Sequence, residues 1–205
     1  MQDQDQYQED LGVAIRFHGH ICPGLVIGYR AALAALAYLD VERPEDEDLV
    51  AIVESDGCGI DGIQAILGCT IGKGNLIYKD HGKQVYTVIS RKGRRAVRIA
   101  LRAGAFRLSP EQESLFGKIW REDASEEEKK AFRAFQKERV EELLGMEDDA
   151  LFTVAQVSPE IPARARIFKS AICGLCGEPV MEPRARVRDG KAVCIPCSES
   201  YSRGW

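Results

Sequence analysis

Apolar and polar positions follow two rhythms along this chain, and the places where one gives way to the other mark its elements. Residues 6–17 put Leu11, Ala14 and Ile15 on one side of a helix. Residues 23–39 read as a second helix, with Pro23 in a first turn where its missing N–H would have no partner anyway. That segment is apolar nearly all round (Leu25, Val26, Ile27, Tyr29, Leu33, Leu36, Leu39) and is broken mainly by Arg30. Such a helix must be covered on every side, by its own core or by another subunit. Gly24, Gly28 and Ala32 recur every four residues and make a strip that a second backbone can approach closely.

Residues 49–53 have the apolar run of a buried strand, and a Gly-rich turn at 57–62 leads into a short helix at 63–67. Residues 75–78 and 84–90 read as strands joined at Asp80-His81-Gly82, which would put His81 at a solvated hairpin tip. Residues 96–101 follow the Lys92-Gly93 turn and complete a meander. Helices are expected over 109–121 and 125–144; the second opens with Ser125 and Glu128 at capping-box spacing and carries Phe132, Phe135, Val140 and Leu143 at helical intervals. A strand at 151–157 precedes a linker marked by Pro159 and Pro162. The fold class expected is α+β: a core domain of mixed helices and antiparallel sheet over 1–157, then a linker and small zinc-ribbon domain over 158–205.

Composition supports a globular chain, with 45% hydrophobic and 29% charged residues in 205. No stretch has the uncharged apolar length of a membrane span, and the polar, acidic first ten residues do not read as a secretory signal. A cytoplasmic location is expected, where thiols stay reduced; seven cysteines, an odd number, then read as ligands or nucleophiles rather than disulfides. Net charge is −4 but uneven: residues 81–110 hold eight Lys or Arg and no acid, whereas residues 122–149 hold eleven acids against five bases. Solvated faces, complementary subunit surfaces, and a surface for an anionic ligand or nucleic acid all fit that pattern.

Cysteine spacing changes the picture most. Cys173-x2-Cys176 and Cys194-x2-Cys197 lie seventeen residues apart. Each pair can aim two thiolates at one ion from a tight knuckle, and a hairpin at 185–193, turning at Asp189-Gly190, would bring the four sulfurs into a tetrahedron. Zinc suits that set; iron has the same ligand set. So small a segment has little core, and the metal would hold it folded. It resembles the zinc fingers of the TraR/DksA type in Cys194-Ile195-Pro196-Cys197, a resemblance that implies contacts with protein or nucleic acid; residues 158–205 are mildly basic, with eight bases and five acids.

A second constellation is N-terminal: Phe17-His18-Gly19-His20-Ile21-Cys22-Pro23-Gly24. In an extended strand His18, His20 and Cys22 would share a face, and Cys22 would cap the following helix, where the dipole favours a thiolate. Cys58 leaves a strand and enters a helix, and Cys69 lies just past that helix. His18, His20, Cys22 and Cys58 could close a site for zinc or iron, with Cys69 a further ligand. Gly57-x-Gly59-x-x-Gly62, with Asp80 downstream, imitates a dinucleotide fingerprint, but its helix is short and runs into another Gly-rich turn.

The 17–24 phrase, Asp56-Gly57-Cys58 with Asp61 and Gln64, and Gly68-Cys69-Thr70-Ile71-Gly72-Lys73-Gly74-Asn75-Leu76 resemble the formylmethanofuran dehydrogenase FmdE family over roughly residues 10–150. The resemblance implies an α+β core forming an intertwined homodimer, in some members with a C-terminal zinc finger. The family takes its name from a component of an enzyme that reduces carbon dioxide to a formyl group on a furan carrier; the molybdenum or tungsten pterin belongs to other components of that enzyme. The function expected is that of a metal-binding protein of one-carbon or metal-cofactor metabolism, acting as a metal-dependent enzyme or as part of one. Its catalytic candidates are Cys22, Asp61 as a proton shuttle, and Lys73, which with the basic strands would hold an anionic small molecule. The rival expectation is a metal- or redox-sensing regulator or adaptor whose finger binds nucleic acid or protein.

Overall fold

Helix α1 (Gln2–His18) stops at Gly19, whose φ of 93° lies in the left-handed region that a side chain avoids. The Gly19 amide still reaches back to the Ile15 carbonyl at 2.8 Å. Helix α2 (Pro23–Leu39) begins four residues later, with Cys22 at its N-cap and Pro23 in its first turn. These details come from a computed structural model that describes residues 2–105 and 107–199.

A five-stranded sheet has the order β2-β1-β3-β4-β5, with β1 Leu49–Val53, β2 Leu76–Tyr78, β3 Val85–Ser90, β4 Arg95–Leu101 and β5 Phe152–Val157. Strands β1, β3, β4 and β5 pair antiparallel, and of the expected meander the β3–β4 step is present. The hairpin expected between residues 75–78 and 84–90 does not form. Strand β2 instead runs parallel to β1, on the edge away from β3. Helix α3 (Gly59–Leu67) is the reason: it crosses back over the sheet and returns the chain in its original direction. The buried Asn75 locks that return, its amide donating to the Leu49 carbonyl at 2.9 Å and its carbonyl accepting from Thr70 N–H at 2.9 Å. His81 is then no hairpin tip; its Nδ1 lies 3.0 Å from Glu54 Oε2.

The apolar helix α2 is covered by its own chain. Twelve of its seventeen residues are buried, among α3, the sheet and the end of helix α5 (Glu126–Gly145). The small-residue strip meets α3: a Cβ on Gly28 would sit 1.8 Å from the Gly59 carbonyl oxygen, and one on Gly62 would sit 2.4 Å from Tyr29 N. Gly59 and Gly62 of the dinucleotide-like phrase therefore serve helix packing. Arg30, the one charge within α2, is 8% exposed and donates to the carbonyls of Leu143, Leu144 and Met146 and to Asp148. It thereby closes the C-terminal end of α5, where carbonyls lack helical partners.

Only the second half of α5 reaches the core, through Val140 and Leu143. Its first half packs on helix α4 (Pro110–Trp120), which has no buried residue; Phe116 meets Phe132 edge-on at 5.5 Å and Trp120 is 80% exposed. Both helices open with capping boxes, Ser109 with Gln112 and Ser125 with Glu128. After β5, residues 158–164 stay with the core: Ile161 packs against the Val50, Ile89 and Ala96 cluster, and Arg91 donates to the Pro162 carbonyl. The chain divides after Arg164.

The second unit, Ala165–Trp205, is built from two small hairpins. Strands β6 (Ser170–Ile172) and β7 (Pro179–Met181) flank the first cysteine pair; β8 (Arg186–Arg188) and β9 (Lys191–Val193) precede the second. Asp189 and Gly190 both have positive φ, 50° and 73°, the geometry of a tight two-residue turn. Among the described residues no helix is long and apolar enough to cross a membrane.

Candidate metal centres

In the finger unit the sulfurs of Cys173, Cys176, Cys194 and Cys197 lie within 4.8 Å of one another. Backbone amides hold the knuckles: Gly177 N–H donates to the Cys173 carbonyl at 3.0 Å, and Cys194 N–H donates to Cys173 Sγ at 3.3 Å. Amides of Cys176, Cys194 and Leu175 pull the Cys173 thiol down to about 6, so one sulfur is a thiolate near neutral pH. The Cys197 thiol donates to the sulfurs of Cys194 and Cys176, and this pushes it up to about 12. Four sulfurs crowded this closely cannot all ionise unless a cation neutralises them. Tetrahedral thiolate donors suit zinc.

In the core unit, His18, His20 and Cys22 also bring their ligand atoms within 4.8 Å. The expected extended strand is absent. His18 is the last residue of α1, the left-handed Gly19 reverses the chain, and the two imidazoles come to 4.5 Å between centroids. His18 Nδ1 lies 2.7 Å from Asp61 Oδ2, and Asp61 Oδ1 accepts from Gln64 at 3.1 Å. A ring that gives its Nδ1 proton to a carboxylate presents the lone pair of Nε2, and that atom is 3.6 Å from Cys22 Sγ. The donor set, two imidazoles and a thiol on neighbouring atoms with a carboxylate behind one ring, fits a zinc or iron ion.

Cys22 accepts from Leu25 N–H at 3.4 Å, as an N-cap side chain should. Burial nevertheless raises its thiol above the ordinary value; the Leu25 amide opposes this, and the neighbouring Cys58 thiol adds to it. The thiolate expected from helix position alone is therefore not favoured here. Cys58 is the N-cap of α3, exposed, just outside the 4.8 Å set yet close enough to hydrogen-bond with Cys22. Cys69 lies apart from them: it is 0% exposed within the apolar core, and burial pushes its thiol up to about 12. A ligand role for Cys69 has no support in this geometry.

Lys73 sits in the loop before β2, its amide held by Thr70 Oγ1 at 3.2 Å, and its positive charge opposes the rise of the Cys69 thiol. Four of the eight bases in that run are engaged within the chain. Arg91 donates to the Glu47 carbonyl, Arg95 to those of Tyr38 and Leu39, and Arg102 to those of Asp149 and Phe152. Arg98 pairs with Glu54 at 3.6 Å. A groove beside the cluster, between the end of β1, the start of α3 and β2, is not legible in the sequence, because His18, the phrase at 56–64 and the residues of β2 meet only in the fold.

Two family models match the chain. "FmdE, Molybdenum formylmethanofuran dehydrogenase operon" covers residues 17–153, and "Prokaryotic dksA/traR C4-type zinc finger" covers residues 166–203. The chain is 38% identical over 195 residues to a protein of Archaeoglobus fulgidus named "Probable S-adenosyl-L-methionine-binding protein". That match takes in 92% of this chain but 52% of the relative, so the chain spans about half the relative's length. Among solved structures it is similar to a tungsten formylmethanofuran dehydrogenase FmdE-like protein of Syntrophus aciditrophicus, with 21% identity, a TM-score of 0.60, and coverage of 93% of this chain and 91% of that one. The likeness to that structure is one of fold.

Proposed function

The chain belongs to the FmdE family and carries a C4-type zinc finger, and from that premise we propose that its core unit binds a catalytic metal ion and presents it to a small molecule in the adjoining groove. The observation that carries the reading is the convergence of His18, His20 and Cys22 at one end of that groove, with His18 among its lining residues. His18, His20 and Cys22 would hold the ion, and Cys58, which reaches Cys22, would be the fourth ligand. Zinc or iron bound there would polarise a carbonyl or lower the pKa of water. One-carbon or metal-cofactor metabolism is the setting the family suggests.

The residues around the ion divide the work. Asp61 holds the His18 tautomer and ring orientation and is itself held by Gln64, so its role is positioning rather than the proton transfer suggested by sequence. The cysteines supply charge and soft donors. Lys73 is not a groove-lining residue, so holding substrate is not a role its position supports. The relative's printed name makes S-adenosylmethionine the first small molecule to test. The family also suggests a homodimer, for which the exposed Trp120 stacked on the half-buried Phe116, itself packed on Phe132, offers an apolar surface.

Elemental analysis tests the core site directly. The intact chain should hold about two metal ions, one in each unit, and Cys22→Ala should reduce this to about one. An unchanged stoichiometry in Cys22→Ala would remove the core site from the proposal.

A further inference from the structure

Cys22 and Cys58 are neighbours because each caps one of two helices that pack backbone to backbone. Cys22 is the N-cap of α2 and Cys58 the N-cap of α3, and the two helices meet through Gly28, Gly59 and Gly62. Gly24, two residues after Cys22, makes room for the second cysteine: a Cβ there would lie 3.1 Å from Cys58 Cβ and 3.8 Å from Cys58 Sγ. The Cys22 thiol donates to the Cys58 sulfur. Cys58 is exposed and Cys22 half-buried, so a reagent in solvent meets Cys58 first. Cys69, the third cysteine of the core unit, is sealed among apolar side chains and does not compete. A disulfide needs sulfurs about 2 Å apart on Cβ atoms about 4 Å apart, and thiols already in hydrogen-bond contact reach that by side-chain rotation.

We propose that Cys22 and Cys58 are a redox-modification site: a peroxide joins them in a disulfide, which dismantles the core metal site, and a dithiol reverses the change. The loss of metal rests on the reading of the core as a metal site, whereas the bond itself needs only the two sulfurs. Cys58 sulfur attacks one peroxide oxygen; the S–O bond forms, the O–O bond breaks, and the other oxygen leaves as water with the thiol proton. Cys22 sulfur then attacks Cys58 sulfur; the S–S bond forms, the S–O bond breaks, and the hydroxyl leaves as water with the Cys22 proton. The two thiols lose two electrons, and one hydrogen peroxide gains them and becomes two waters. From metal-bound thiolates, solvent supplies the two protons and the cation departs. A disulfide carries no thiolate charge, so His18 and His20 alone remain of the donors, too few to close a zinc or iron site. Exchange with a dithiol returns both thiols and leaves the dithiol as its own disulfide.

The experiment exposes the full-length, zinc-loaded chain to hydrogen peroxide and then to dithiothreitol. Tandem mass spectrometry of its peptides identifies the linkage, and elemental analysis of desalted samples counts the zinc. The Cys22→Ala chain, which should hold only the finger's ion, gives the loss to be subtracted for the finger. Peroxide should link Cys22 to Cys58 and release about one zinc ion more from the native chain than from Cys22→Ala. Dithiothreitol with added zinc should restore both thiols and the ion. Sulfinic acid on Cys58 without the link, a link that dithiothreitol does not reopen, or linked protein that keeps its core zinc overturns the proposal. The two readings fail separately. Core zinc in a chain that forms no link leaves the metal site standing and removes the switch. A reversible link in a chain that held no core zinc before oxidation sinks the metal reading, and the switching with it, while the modification site stands.

Discussion

Arg30 shows how one side chain can serve two elements. It sits inside the apolar helix α2 yet donates to three carbonyls at the end of α5, at 2.7, 3.0 and 2.7 Å, and to Asp148. Replacement by Met would fill much of the space but strand those carbonyls and the carboxylate. Arg30→Met should cost about 3–5 kcal/mol, lowering the melting temperature by on the order of 10 °C, as read by calorimetry. A change of a degree or less would mean that water takes over the carbonyls. Reading along the sequence, Arg30 is only an interruption in an apolar run; its partners lie more than a hundred residues away. The cysteines teach a similar lesson. Cys22, Cys58 and Cys69 look alike in their Gly-rich phrases, but the fold puts the first two together and seals the third in the core.

Between elements, the closest approach is that of α2 to α3, where glycine meets glycine. A Cβ on Gly28 has no room, because the atom it would strike at 1.8 Å is a backbone oxygen that cannot swing aside. Gly28→Ala should therefore force the helices apart and cost about 3 kcal/mol or more, beyond the roughly 1 kcal/mol that helix propensity returns. Because Cys22 caps α2 and Cys58 caps α3, the same separation would pull the two thiols apart. Denaturant unfolding of Gly28→Ala, with metal content measured alongside, checks both effects. The parallel β1–α3–β2 unit has its own cause. Periodicity located its pieces, but which edge of β1 receives β2 depends on a crossover helix that starts at Gly59, four residues before the apolar run suggested.

At the scale of the molecule, the two units draw stability from different sources. The first has an extensive buried apolar cluster, including Leu25, Tyr29, Ile63, Tyr86 and Phe152. The second buries little beyond Cys173 and Val193 among its described residues. Chelation should accordingly abolish amide protection over residues 170–197 while leaving β1, β3 and α2 protected, as measured by hydrogen exchange. Loss of protection in both units at once would show that the core also depends on its metal for folding. What the sequence determined by itself was everything carried by short-range spacing. That covers the bounds of α2 and β1, the hairpin at 185–193, the Ser125–Glu128 capping box, and a four-sulfur site whose knuckles are each four residues long. The tertiary structure decided what depends on contacts between distant segments: the order of strands, the partners of Arg30 and of the basic run, and which cysteines meet. It also decided the groove, whose charge and shape come from residues that only the crossover of α3 brings to one place. Local pattern reflects the energetics of neighbours along the chain, whereas those features reflect burial and hydrogen bonding between segments that become neighbours only on folding.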